Sequence, residues 1–138
     1  MKLRVILIIV ACLILTGCDT SNSAVEQAGA QAAEQWLSIV DGGSYEKSWV
    51  ETDPLFQSQM SKTDLVNALG KIRQPLGANI SRSLVEAESS STLSGAPDGE
   101  YVVTIFEASF DQKKSATETV TVTMSGNGKW KVVGYFIK

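Results

Sequence analysis

Three patterns follow one another along the 138-residue chain. An unbroken apolar run from Val5 to Leu15 comes first; apolar residues then recur at intervals of three and four, and after Gly77 they alternate with polar ones at every second position. The middle interval gathers side chains on one face of a helix, the last on one face of a strand. Val25, Ala28, Ala32, Trp36, Leu37 and Val40 predict a helix from Ala24 to Asp41-Gly42-Gly43. Ser23 is its expected N-cap, with Glu26 three residues on, and glycine suits the left-handed C-terminal turn. A second helix is predicted from Ser44 to about Glu51, with Tyr45 and Trp49 four apart and both pointing inward. Asp53-Pro54 opens a short helical turn carrying Leu55, Phe56 and Met60. Ser61 or Thr63 then caps a helix presenting Leu65, Val66, Leu69 and Ile72, which Pro75 and Gly77 stop.

The alternating part divides into strands at about Asn79–Ser91, Glu100–Phe110, Ala116–Met124 and Lys129–Ile137. The intervening Gly95-Ala96-Pro97-Asp98-Gly99, Asp111-Gln112-Lys113-Lys114 and Ser125-Gly126-Asn127-Gly128 are short turn sequences, which join antiparallel neighbours. In the third strand Glu118, Val120, Val122 and Met124 share one face, expected to meet the helices, and Thr117, Thr119, Thr121 and Thr123 share the other. The second strand is apolar on both faces and therefore expected to be central. Helices followed by an antiparallel sheet predict an α+β domain with the helices on one face.

The apolar run at the start has 11 residues, too few for a permanent span, which takes about 20 at about 1.5 Å each. Lys2 and Arg4 precede it and Leu15-Thr16-Gly17-Cys18 ends it, as in a cleavable export signal. Those last four residues resemble the lipobox of bacterial lipoproteins. The resemblance implies cleavage between Gly17 and Cys18, removal of residues 1–17, and acyl chains on the Cys18 sulfur that hold the protein to a membrane. Asp19 resembles the retention signal that keeps some lipoproteins on the inner membrane. Residues 18–23 would then be a linker reaching less than roughly 20 Å, and residues 24–138 one domain facing the periplasm or the exterior.

Composition narrows what that domain can do. Cys12 lies in the apolar run and Cys18 would carry lipid, so residues 19–138 contain no thiol for a disulfide or a metal. Without Lys2 and Arg4, ten basic and 15 acidic residues leave a net charge of −5, which disfavours nucleic acid. There is no histidine, which removes the commonest general base and most zinc sites, and no cofactor is expected.

Trp36 to Tyr45 with Ser48-Trp49, Arg73-Gln74-Pro75-Leu76-Gly77, Ser81-Arg82, Pro97 to Tyr101, Glu118-Thr119-Val120 and Trp130 to Tyr135 occur in order at compatible spacings. They resemble the bacterial family known only as domain of unknown function four thousand and nineteen, over about residues 30–138. That family brings no activity with it. The order of helices and strands is also similar to the nuclear-transport-factor-2-like, or cystatin-like, fold, which implies a curved sheet wrapping the first helix into a cone. That fold hosts isomerases, dehydratases, immunity proteins and binding domains alike.

Several residues are of types that could act in such a cone. An isomerase-like site needs a buried carboxylate base with a tyrosine opposite. Glu107 and Glu118, with Tyr45, Tyr101 and Tyr135, supply the types; the plainer expectation for either glutamate is a solvated position or an ion pair. Arg73 and Arg82 could grip an anion, though tying a helix end or a sheet edge to an acid is the commoner use. Trp36, Trp49 and Trp130 could line the cone or simply pack it. Asp98 beside Pro97 reads as a turn and not a metal loop. Asn79-Ile80-Ser81 matches a glycosylation acceptor, which has no meaning in a bacterial lipoprotein. The expected function is thus a membrane-tethered, non-enzymatic binding or accessory domain, its ligand or envelope partner unidentified. The alternatives are an isomerase- or hydrolase-like enzyme using the cone, and an envelope assembly or inhibitor module acting by protein contact. A deep cavity holding a desolvated carboxylate would favour the enzyme; a cone filled by its own Trp and Phe side chains would favour the others.

Overall fold

A computed structural model of the chain describes residues 20–138; the expected signal segment, Gly17, Cys18 and Asp19 lie outside the described residues. Helix α1 runs from Thr20 to Asp41. It begins before the expected start, so Ser23 lies inside the helix instead of capping it, and residues 20–23 of the expected linker are helical. Glu26 makes no capping box: its Oε1 accepts from the backbone N–H and the hydroxyl of Ser89, both at 3.2 Å, which ties α1 to the sheet. At the other end Gly43 has φ 73° and Ser44 N donates to Ile39 O at 3.2 Å, the glycine-dependent stop that the sequence predicts.

Three shorter helices follow: α2 (Tyr45–Val50), α3 (Pro54–Gln59) and α4 (Lys62–Arg73), the last continued by a 3-10 turn over Gln74–Leu76. Asp53 caps α3 by accepting from Leu55 N at 2.8 Å. Ser61 caps α4 by accepting from Asp64 N at 3.2 Å. The strands are β1 (Asn79–Ser90), β2 (Tyr101–Phe110), β3 (Lys113–Met124) and β4 (Trp130–Ile137). They form one antiparallel sheet in the order β1-β2-β3-β4. Lys113 and Lys114 belong to β3 and not to a loop, because the β2–β3 hairpin closes tightly enough to pair Phe110 with Lys113. Bulges interrupt β1 between Asn79 and Ser81 and between Leu84 and Glu86, bending that edge.

The core lies between α1 and the sheet. Ala33, Trp36, Leu37, Val40, Leu65, Leu69, Val102, Phe106, Val120, Val122 and Val132 form it, with Tyr45 and Trp49 packed half-buried against its border. Two helix faces differ from expectation. On α1 the buried stripe runs through Gly29, Ala30 and Ala33, while Ala28 and Ala32 are half-exposed; small side chains let that part of the helix lie against β2. On α4 Ile72 is 42% exposed and Arg73 is buried in its place, because Arg73 finds charged partners inside and Ile72 has none to gain. Opposite the helices the sheet presents Thr117, Thr119 and Thr121 with half-buried Val103 and Ile105 and exposed Phe136. That is the face assignment expected for β3 and the central position expected for β2.

Candidate functional site

Four elements bring charged side chains together at one edge of the core. Asp41 closes α1, Arg73 closes α4, Arg82 stands near the start of β1 in step with Leu84, and Glu118 of β3 points inward with Val120 and Val122. Arg82 forks onto Asp41 through NH1 to Oδ2 at 2.7 Å and NH2 to Oδ1 at 3.0 Å, and its Nε donates to Glu118 Oε2 at 2.6 Å. Arg73 NH2 donates to Asp41 Oδ1, and its NH1 lies 3.6 Å from Glu118 Oε1. Tyr135, from β4, donates its hydroxyl to Glu118 Oε1 at 2.8 Å. The Arg73 guanidinium also lies 4.8 Å from the centroid of the Phe110 ring.

Two cations and two anions balance. Glu118 is fully buried and Arg73 is 5% exposed, so each charge depends on the others for the solvation that water would otherwise supply. Asp41 sits at the negative end of the α1 dipole, where a carboxylate is disfavoured, and the two guanidiniums reverse that penalty. Burial works to raise its pKa, but the hydrogen bonds and charges of Arg82 and Arg73 prevail and hold it below the ordinary carboxylate value. Tyr135 moves the other way: burial, then the charge of Glu118, push its hydroxyl well above the ordinary tyrosine range against the opposing pull of Arg73.

These directions set a pH dependence of stability. The contribution of Asp41 is present above the unfolded carboxylate pKa of about 4 and is lost as pH falls through the lower folded value. That of Tyr135 is complete below the unfolded tyrosine pKa of about 10 and is lost as pH rises toward the higher folded value. Urea midpoints measured from pH 7 to 11 should therefore fall at the alkaline end more steeply for the parent than for Tyr135→Phe. Parallel curves would show that Tyr135 is not held in its neutral form by folding.

Of the residues singled out in the sequence, Arg73, Arg82, Glu118 and Tyr135 meet here, and both arginines take the acid-tying role. Asp41 is the member that sequence reasoning assigned only to a helix end. Glu107 is exposed on the opposite face of the sheet. Tyr101 is buried at the start of β2, its hydroxyl donating to Pro97 O at 2.6 Å, and Asp98 stands exposed in the same turn. Tyr45 packs at the border of the core. Asn79 is occupied within its own strand pair, Nδ2 donating to Ser81 O at 3.1 Å and to Ser109 O at 3.3 Å. Trp36 packs against Tyr135 with ring centroids 5.2 Å apart. Among the described residues, no three acidic side chains converge as metal ligands would, and no helix is long and apolar enough to cross a membrane.

Open grooves mark the surface of the described residues, among them five whose linings include none of Asp41, Arg73, Arg82, Glu118 and Tyr135. One of these, of about 610 Å³, runs between α1 and β1. Helices on one face of a four-stranded meander, with a charge cluster locking the helix ends to the sheet, define an α+β domain. The chain belongs to the family described as Protein of unknown function (DUF4019), whose model matches residues 32–135. All five residues of the cluster fall inside that match and inside the stretches that carry the resemblance. No curated protein matches the chain significantly.

Proposed function

We propose that the chain is an exported bacterial lipoprotein, held to the membrane by acyl chains on Cys18, whose domain is a non-enzymatic binding or accessory module similar to the cystatin-like cone. The observation that carries the non-enzymatic reading is the state of Glu118. A general base must come within about 3 Å of the proton it takes, yet both Glu118 oxygens are engaged by arginine and tyrosine and the side chain is fully buried. The space a cone would enclose is filled by Trp36, Leu37, Leu69, Phe106 and Phe110.

The anchoring reading rests on Leu15-Thr16-Gly17-Cys18 behind its charged and apolar run. Since α1 already includes Thr20, two residues after Cys18, such an anchor would hold the domain directly at the bilayer. Asp19 places the protein on the inner membrane, with the domain in the periplasm. Cells fed a labelled fatty acid should incorporate it into the parent and not into Cys18→Ala, and membranes separated by density should carry the labelled protein in the inner fraction. Label that survives Cys18→Ala would overturn the lipoprotein reading; recovery in the outer membrane would overturn the role of Asp19. A second reading, assembly with an envelope protein, draws on the uncovered sheet face, where Val85 is 57% and Phe136 61% exposed.

A further inference from the structure

Trp130 packs half-buried against the border of the core, but its indole N–H is left without a partner among the described residues. Trp36 Nε1, by contrast, donates to Ser48 O at 2.9 Å and Trp49 Nε1 to Met60 O at 3.0 Å. Trp130 stands where two grooves of about 250 and 460 Å³ meet, both of them also lined by Ala32, Gln35 and Glu51. That size suits a small molecule. Lys47 borders the first groove, and Lys129 and Lys131 the second. Lys131 is tied to Glu51 at 2.8 Å, but among the described residues neither Lys47 nor Lys129 has an acidic partner. Two exposed lysines without an acidic partner among the described residues thus flank a half-exposed indole on a chain whose net charge is −3.

We propose that this joined groove binds an acidic sugar, a pyranose ring carrying a carboxylate or a phosphate. The inference rests on the reading of the domain as a binding module and names its ligand. The indole offers an apolar face to the C–H side of a sugar ring and an unused donor to one of its oxygens. The Gln35 amide both donates and accepts and the Glu51 carboxylate accepts, a combination that hydroxyl groups match from their side. Lys47 and Lys129 serve as point charges for the anionic group. A neutral sugar would leave both ammonium groups unused, and a bare anion would leave the indole face unused.

The test follows the three indole N–H signals in the nuclear magnetic resonance spectrum of the full chain in detergent, with Trp130 assigned by its absence in Trp130→Phe. Glucuronate or glucose 6-phosphate should move the Trp130 signal saturably and leave those of Trp36 and Trp49 in place; which of the two acts more strongly identifies the anionic group. Glucose should bind about tenfold more weakly, and Lys47→Gln with Lys129→Gln should erase that difference. Inorganic phosphate alone should not saturate the signal. Calorimetry on Trp130→Ala should show binding lost, with the spectrum still dispersed. The inference is overturned if neither acidic sugar gives a saturable shift, if phosphate alone matches them, or if binding survives Trp130→Ala. If neither acidic sugar acts but a small molecule of another class moves the Trp130 signal saturably, the ligand named here is overturned and the binding-module reading stands.

Discussion

Glu118→Gln is expected to lower the stability of the domain by about 3 to 5 kcal/mol, the cost of removing one partner from a buried ion pair. The substitution keeps the shape of the side chain and removes only its charge. Arg73 and Arg82 then share Asp41 alone, leaving one positive charge uncompensated beside groups that water barely reaches. The loss is large for a domain whose whole stability is expected at about 5 to 15 kcal/mol. It would be read as a fall in the urea midpoint at unchanged slope. Removing both signs together should cost less than the sum: Glu118→Met with Arg82→Met should show a coupling of about 0.5 to 3 kcal/mol. A Glu118→Gln protein within about 1 kcal/mol of the parent would mean that the cluster is solvated and contributes little.

The same cluster shows how far the sequence can be read. The alternation Glu118, Val120, Val122 put Glu118 on the helix side of β3, and Arg82 lies in phase with Leu84 in the same way. A charged residue in the apolar phase of a strand is the available signal, since it must be paired inside or remain an uncompensated charge. Arg73 carries a similar signal at a four-residue interval after Leu65 and Leu69, all three of which are buried. Which carboxylate meets which guanidinium was not legible, because the partners are separated by 32 to 41 positions in three of the four contacts and no local pattern links them.

Element order and strand pairing were legible because each hairpin turn names its neighbours, and Gly43 and Ser61 end and begin their helices as their chemistry requires. The start of α1 was not. Thr20, Ser21 and Asn22 are weak helix formers, and Ser23 has the character of a cap, yet the helix extends through them. Glu26, which could have closed a capping box, is held by Ser89 of β1 instead, a contact that only the folded sheet provides.

Gly29 is the other residue whose role is tertiary. In an isolated helix Gly29→Ala would add about 1 kcal/mol, since glycine is the weaker helix former. Here a Cβ at Gly29 would lie 2.5 Å from Val102 Cβ and 2.6 and 2.8 Å from its two methyl groups, on a buried residue of a central strand. Carbon atoms pack at about 3.5 to 4.0 Å, so α1 would have to lift from β2, and the strain of such overpacking costs about 1 to 3 kcal/mol or more. Gly29→Ala should therefore destabilise by about 1 to 2 kcal/mol net of the propensity gain, since the contacts place it at the upper end of that strain. Gly70, inside α4, supplies the contrast: its nearest neighbour would be Gln74 Nε2 at 3.9 Å, an ordinary contact. Gly70→Ala should raise stability by about 0.5 to 1 kcal/mol. Urea denaturation of the two variants beside the parent should give shifts of opposite sign, and a Gly29→Ala protein as stable as Gly70→Ala would show that α1 does not approach β2 so closely.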